Sequence, residues 1–202
     1  MAFPRTLLLL PLVAFGAHTV FASSPADSGS FQEPTAPDQS AATAPTSSQS
    51  PAKKVKYAEV QEVVDALYQA VSFEKGGEPN WALLENLCMD GAGFSQPPRP
   101  PAKRAIITTQ EFIDSFKSDL DVYKMRETGF WERVVNTTIT QFGDTAVALV
   151  VFEVRMEKDS DKPMGRGLDS VSMLRSDGRW WVSSINTDWE RPGQALPKEL
   201  LQ

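Results

Sequence analysis

The apolar residues in the first part of the folded region recur at helical spacing. Residues 60–71 place an apolar side chain every three or four positions, which predicts an amphipathic first helix that a KGG sequence ends. A short second helix, NWALLENLC, follows. Thr108 and Glu111 match a capping box, which predicts the start of a third helix. Residues 89–106 are rich in glycine and proline and predict a loop with one short strand at most.

The pattern changes to strands from residue 130 onward. Residues 130–142 are rich in Val, Ile and Thr, a Gly-Asp turn follows, and residues 145–157 form a second strand. Residues 166–185 form two more strands around an SDG turn. Helices that precede four long antiparallel strands predict an α+β fold, in which the N-terminal helices pack on one face of a curved sheet.

The strand that begins at Thr145 is apolar on both faces. A half-exposed antiparallel strand alternates apolar and polar residues instead. One face can pack against the helices, while the other needs a cover, and a second copy of the chain supplies one. We therefore expect a homodimer through the outer sheet face. The two faces carry Ala146, Ala148, Val150 and Phe152 on one side and Val147, Leu149 and Val151 on the other.

The chain before the folded region has two parts. Residues 1–22 combine Arg5 with an apolar run that is too short to cross a bilayer core of about 30 Å, and they match a secretory signal peptide. Residues 23–55 are rich in Ser, Pro, Ala and Thr, which predicts a disordered tether or, less simply, a mucin-like stalk. The domain covers residues 56–191, and residues 192–202 form a C-terminal tail. We expect an exported protein, periplasmic or secreted, without a membrane span after signal cleavage.

Composition limits the chemistry. The single histidine, His18, leaves with the signal peptide, so the mature protein has no imidazole base or ligand. The single cysteine, Cys88, cannot form an internal disulfide and follows a helical apolar pattern, so we interpret it as a small core residue. No metal site and no cofactor are expected. The net charge of −6 comes from interspersed acids and bases, which argues against a nucleic-acid partner.

Four sequence features carry a resemblance to a known family. They are Trp81 after the first long helix, GDTAVALVVFEVR at 143–155, GRGLDSVSMLRSDGRWWVSSI at 165–185, and the closing Trp189. Together they resemble the nuclear transport factor 2-like superfamily, which includes SnoaL-like cyclases, ketosteroid isomerases and many exported bacterial proteins. The resemblance covers residues 56–190. It implies a cone-shaped fold with a pocket between the helices and the concave sheet, and it implies dimerisation through the outer face, but one such fold hosts many functions.

A charged set stands near facing positions of the hairpin over residues 145–175: Glu153, Arg155, Arg166 and Asp169. A carboxylate held between arginines can activate water or take a proton next to a carbonyl group. The set loosely resembles the aspartate–arginine–aspartate arrangement of epoxide hydrolases with this fold, but the spacing does not match residue by residue. Cross-strand ion pairs at a sheet edge or dimer rim explain the same residues, and we favour that interpretation.

A second set combines tyrosines with aspartates, the residue types with which ketosteroid isomerases hold an oxyanion and take a proton. The set contains Tyr57, Tyr68, Tyr123, Asp65, Asp119 and Asp121. Tyr68 lies on the first predicted helix, where the resemblance implies pocket-lining residues, and Asp65 is spaced to share its face. Asp65 more simply marks the solvated edge of an amphipathic helix, so no isomerase set is assigned.

Aromatic residues supply candidates for an apolar ligand pocket. The candidates are Tyr68, Trp81, Phe94, Phe116, Phe152 and Trp180. Core packing explains most of them equally well. Trp180 and Trp181 point to opposite sheet faces because successive strand residues alternate. The resemblance places Trp180 in the core, so Trp181 falls on the outer face, and we favour a structural role for both.

These features support two functional hypotheses. The first is an exported, non-catalytic domain that dimerises and binds a small, mainly apolar ligand in its cone. The second is an enzyme, a cofactor-free isomerase, dehydratase or hydrolase that uses a buried carboxylate. A carboxylate deep in the cone with a strongly raised pKa favours the enzyme, whereas a well-filled cone favours an interaction module.

Overall fold

The predicted α+β order is confirmed by a computed structural model, which describes residues 56–98 and 102–202. The predicted signal peptide and tether lie outside the described residues, as do residues 99–101 of the proline-rich loop. In the described part of the chain, no helix combines the length and the apolar character that a membrane crossing requires.

The described residues form four helices: α1 (Val60–Val71), α2 (Trp81–Leu87), α3 (Thr109–Val122) and α4 (Met125–Thr128). The Asn80 side chain caps α2 by accepting a hydrogen bond of 3.0 Å from the Leu83 amide. Thr108 and Glu111 form the predicted capping box at the start of α3. Each cap provides an acceptor for amide groups that the first turn of a helix leaves unpaired.

Seven strands and one 3-10 helix complete the described residues. They are β1 (Phe73–Glu74), β2 (Cys88–Ser95), β3 (Ile107–Thr108), β4 (Gly129–Phe142), β5 (Thr145–Arg155), β6 (Gly165–Ser176), β7 (Arg179–Trp189) and the 3-10 helix Lys198–Leu201. The strands form one sheet in the order β1-β4-β5-β6-β7-β2-β3. All neighbouring strands in this sheet are antiparallel except β2 and β7.

Strand β2 is longer than the sequence expectation, which placed residues 89–106 in a loop with one short strand at most. It runs parallel to β7, with Phe94 opposite Ile185. Cys88, expected at the end of a helix, is instead the first residue of β2, and its side chain is buried as expected. The partner strand β7 comes far later in the chain, so no local pattern records the pairing. The glycines of β2 also lower its strand propensity.

The sheet curves around the helices. A bulge at Val135 adds one unpaired residue to β4, and such bulges bend a strand and increase its twist. The inner face of β5 carries the predicted apolar residues, and Val150 and Phe152 have almost no solvent exposure. These residues pack with α1 and α3 in one hydrophobic core.

The C-terminal tail covers part of the outer sheet face. Asn136 stands opposite Val151 in the β4–β5 ladder, so both side chains point away from the cone. The Asn136 amide donates a hydrogen bond of 3.1 Å to the Leu200 carbonyl oxygen of the tail. Val151 is accordingly only 1% exposed although it faces outward. Elsewhere on this face the exposed apolar side chains include Phe142, Val147 and Leu174.

Candidate functional site

A cavity of about 330 Å³ lies between the helices and the concave face of the sheet. The residues that line it lie mainly on the four helices and on β2, β4, β5, β6 and β7, and the lining is mostly apolar. Trp189 stands in its wall with its ring edge-on to Phe152, at 5.0 Å between the ring centroids. This size suits a small organic ligand. Four of the six aromatic candidates line the cavity: Tyr68, Phe94, Phe116 and Phe152.

The other two aromatic candidates, Trp81 and Trp180, do not line this cavity. Trp81 packs edge-on against Phe116 at 5.6 Å between centroids, so it forms a layer behind the cavity wall. Trp180 is 1% exposed in the core, and its backbone amide donates to the Tyr57 carbonyl oxygen. Trp181 is half-buried on the opposite face. The adjacent tryptophans therefore hold the fold and do not shape the cavity.

Asp169 is the polar centre of the cavity. It stands opposite Val150 on the inner face of β6 and is 8% exposed. The Tyr68 hydroxyl donates to Asp169 Oδ2 at 2.7 Å, and the Thr187 hydroxyl donates to Asp169 Oδ1 at 2.6 Å. One residue each from α1, β6 and β7 forms this group, so it exists only in the folded domain.

The surroundings of Asp169 make it an unusually basic carboxylate. Burial raises the pKa of Asp169 to about 6, while the hydrogen bonds from Thr187 and Tyr68 act in the opposite direction by stabilising the ionised form. Burial, together with the negative charges of Asp169 and Glu132, raises the pKa of Tyr68 well above its usual value. Tyr68 therefore stays protonated and remains a donor.

Glu132 provides a second carboxyl group in the cavity wall. It faces inward on β4, opposite the buried Val154, and it keeps partial exposure because it borders the cavity. Burial first, and the negative charge of Asp169 second, raise the pKa of Glu132 to about 8. At pH 7 Glu132 is therefore mostly protonated while Asp169 is mostly ionised. Tyr68, Glu132, Asp169 and Thr187 are called the carboxyl site below.

The structure separates Asp169 from the other three residues of the predicted charged set. Glu153 accepts hydrogen bonds of 2.7 Å from both Arg155 and Arg166 on the outer sheet face. Asp169 follows Arg166 by three positions, so it points to the inner face because strand side chains alternate. Glu153 forms a cross-strand ion pair with Arg166 of β6 and a second ion pair with Arg155 on its own strand. Glu153 and Arg155 are buried rather than placed at an open edge.

The tyrosine–aspartate set is also divided. Asp65 is exposed on α1 and accepts a hydrogen bond of 2.8 Å from Gln61, so it does not share the buried face of Tyr68. Tyr57 packs in the core, and Asp121 is exposed. The members that line the cavity are Tyr68, Asp119 and Tyr123.

Sequence reasoning missed Glu132 and Thr187. The sequence does contain a signal for Glu132, because the alternation from Phe130 to Val134 places it on the inner face, among apolar neighbours. Thr187 is an ordinary strand residue, and no sequence pattern marks it as part of a site. The pairing of Tyr68 with Asp169 spans 101 positions, and no local pattern reports a contact over that distance.

The carboxyl site can hold and move protons with its own side chains. An ionised carboxylate, a protonated carboxyl group and a fixed hydroxyl donor line the same apolar cavity. Low polarity around such groups strengthens their interaction with charge that develops on a ligand. Residues 56–98 and 102–202 contain no cluster of three or more His, Cys, Asp or Glu side chains that could bind a metal ion.

No protein-family model and no curated protein matches this chain. Solved structures do match it. A nuclear transport factor 2-like protein with a cystatin-like fold from Novosphingobium aromaticivorans is 16% identical over 73% of this chain and 89% of that chain, with a TM-score of 0.51. A nuclear transport factor 2-like protein of unknown function from Pseudomonas putida is 14% identical over 65% of this chain and 84% of that chain, also with a TM-score of 0.51.

A protein with a cystatin-like fold from Nostoc punctiforme is similar to the same degree. It is 13% identical over 65% of this chain and 89% of that chain, with a TM-score of 0.51. At these identities the similarity establishes the fold and carries no function. The expected cone-shaped, nuclear transport factor 2-like fold is therefore confirmed.

Proposed function

From the nuclear transport factor 2-like fold of this chain and the cavity that it encloses, we propose a cofactor-free enzyme that moves a proton within a small, mainly apolar carbonyl compound. The observation that carries the proposal is the pair of carboxyl groups in the cavity wall, Asp169 and Glu132, whose pKa values are raised to about 6 and about 8. Groups poised on either side of neutral pH are suited to act as base and acid. Isomerisation and dehydration are the reaction classes that fit.

Asp169 is the base in this proposal. Its ionised carboxylate takes a proton from the carbon next to the carbonyl group, and the electron pair of the broken C–H bond forms the double bond of an enolate. The hydroxyl groups of Tyr68 and Thr187 hold the carboxylate in one orientation. The proton on Asp169 then returns to a different carbon in an isomerisation, or assists the departure of a hydroxyl group as water in a dehydration.

Glu132 is the acid in this proposal. Its protonated carboxyl group donates a hydrogen bond to the carbonyl oxygen, on which negative charge develops as the enolate forms. A donor placed where this charge appears lowers the barrier, because it interacts more strongly with the enolate than with the ketone. The apolar cavity walls position the rest of the substrate.

The test uses deuterium exchange, which requires no knowledge of the product. Full-length protein is incubated in D₂O with a panel of small apolar ketones, and deuterium next to the carbonyl group is followed by NMR. We expect Asp169→Asn to lower the exchange rate by about 100-fold or more, since it removes the base. The wild-type rate should rise with pH through about 6, as Asp169 ionises, and fall above about 8, as Glu132 loses its proton.

The control for this test is Asp65→Asn, which changes an exposed carboxylate on α1 and should leave the exchange rate unchanged. If no ketone in the panel exchanges faster with wild-type protein than with Asp169→Asn, the enzyme proposal fails.

Binding without catalysis is the second candidate, and one observation favours it. Both oxygens of Asp169 already accept a hydrogen bond from the protein, which suits an anchor for a polar group of a ligand. Native mass spectrometry of protein from its own host reports any retained small molecule. A retained molecule together with no exchange on any ketone would support this candidate.

A homodimer and export complete the proposal. Exposed apolar residues on the outer sheet face favour a second copy as their cover, and the C-terminal tail restricts that interface to the part it leaves open. Export is proposed from the sequence of residues 1–22. A mature N-terminus at Ser23, found by N-terminal sequencing, is the expected result.

A further inference from the structure

Glu132 borders two cavities rather than one. Besides the cone cavity, a second pocket lies beside the C-terminal end of α1 and the start of β4. Of the described residues, Tyr68 and Glu132 line both. The polar rim of the second pocket, called the surface pocket below, includes the exposed residues Gln69, Glu74 and Asn80.

The local structure fixes Glu132 in this shared wall. Ser72, at the end of α1, accepts a hydrogen bond of 3.0 Å from the Glu132 amide. The same hydroxyl donates a hydrogen bond of 2.7 Å to the Tyr68 carbonyl oxygen. One side chain thus ties the backbone of β4 to α1 at the position where the two cavities meet, and Glu132 lies in the wall between them.

The two cavities differ in how well they hold water. Apolar side chains dominate the cone cavity, and an apolar substrate excludes water from it further. The surface pocket offers amide and carboxylate groups that bind water. A proton of the carboxyl site therefore exchanges with solvent most readily from the side of the surface pocket.

We propose that Glu132 is a proton shuttle that connects the carboxyl site with water in the surface pocket. The carboxyl group of Glu132 passes its proton to an oxygen in the cone cavity and takes another from the surface-pocket water, and the reverse transfer returns one proton to that water. Each transfer breaks one O–H bond and forms one, and the two directions cancel, so protons exchange with solvent with no net gain or loss. This role rests on the proposed function, but the route itself exists in the protein without substrate.

The test follows the hydroxyl proton of Tyr68, a residue that lines the same two cavities. In full-length protein carrying ¹³C-labelled tyrosine, a mixture of H₂O and D₂O gives separate Cζ signals when hydroxyl exchange is slow, and one signal when it is fast. We expect Glu132→Gln, which keeps the shape but cannot carry the proton, to slow Tyr68 exchange by about tenfold or more. Glu132→Asp, which keeps a carboxyl group, should restore most of the rate.

The matched control is Glu74→Gln, which changes a carboxylate of the surface pocket that does not line the cone cavity. It should leave Tyr68 exchange unchanged. Equal exchange rates in wild type and Glu132→Gln, or equal slowing by Glu74→Gln and Glu132→Gln, would overturn the shuttle. This readout needs no substrate, so it is separate from the ketone assay. A failed ketone assay with slowed Tyr68 exchange would reject the enzyme and keep the route.

Discussion

At the scale of single residues, burial and hydrogen bonding shift the pKa of Asp169 in opposite directions. Burial alone favours the protonated carboxyl group, and the donors Tyr68 and Thr187 limit the rise of its pKa. The sequence indicated Tyr68 as a pocket residue and Asp169 as a polar candidate, but it did not pair the two residues with each other. The reason is physical: a helix face or strand alternation gives the direction of a side chain, whereas its partner depends on how distant elements pack.

Replacing Tyr68 by Phe tests this balance. We expect the pKa of Asp169 to rise above about 6, by about one unit, because the ionised carboxylate loses a hydrogen-bond donor. The measurement is a ¹³C NMR titration of the Asp169 carboxyl carbon. Tyr123→Phe, in the same cavity, is the control and should leave this pKa unchanged. An unchanged titration in Tyr68→Phe would show that the hydrogen bond does not tune the carboxylate.

At the scale of elements, the ion cluster of Glu153, Arg155 and Arg166 on the outer sheet face holds the connection between β5 and β6. Arg155 donates to the Ser160 carbonyl oxygen in this connection as well as to Glu153. Met164, at the end of the same connection, lines the cavity. The cluster therefore supports the rim of the cone from the opposite face of the sheet, although it takes no part in the carboxyl site.

Glu153→Gln and Arg166→Gln should differ sharply in stability. The first leaves the buried charge of Arg155 without its carboxylate, and we expect the free energy of unfolding to fall by about 3 kcal/mol or more. The second removes a partner whose side chain is 40% exposed, and we expect a loss below about 1 kcal/mol. Urea denaturation measures both. Equal losses would mean that burial of Arg155 does not decide the energy of the cluster.

Local patterns predicted α1 to α3 and the four long strands, but they did not predict the full length of β2. The periodicity of α1, the capping box of α3 and the strand composition and turns of β4 to β7 each lie within one segment, so the sequence records them. Strand β2 owes its structure to a parallel partner elsewhere in the chain. Its glycines and the prolines after it predicted a loop, and tertiary pairing overrode that preference.

At the scale of the whole molecule, the proposed homodimer depends on the exposed apolar residues of the outer sheet face. We expect light scattering after size-exclusion chromatography to give the mass of two chains for the wild type. Val147→Lys should give the mass of one chain, because it places a charge in the proposed interface. Ile106→Lys changes a residue that is 78% exposed outside this face and should leave the dimer intact. A wild-type mass of one chain contradicts the dimer.

The parallel pairing of β2 with β7 also determines when the domain can form. The wall that carries Phe94 is completed only by the last strand, and the Trp180 amide joins that strand to Tyr57 at the start of the described residues. Contacts between such distant segments make folding slow, because long loops must close first. During synthesis the N-terminal helices have no complete sheet to pack against until β7 has left the ribosome. The domain therefore reaches its native state only after β7 has been synthesised.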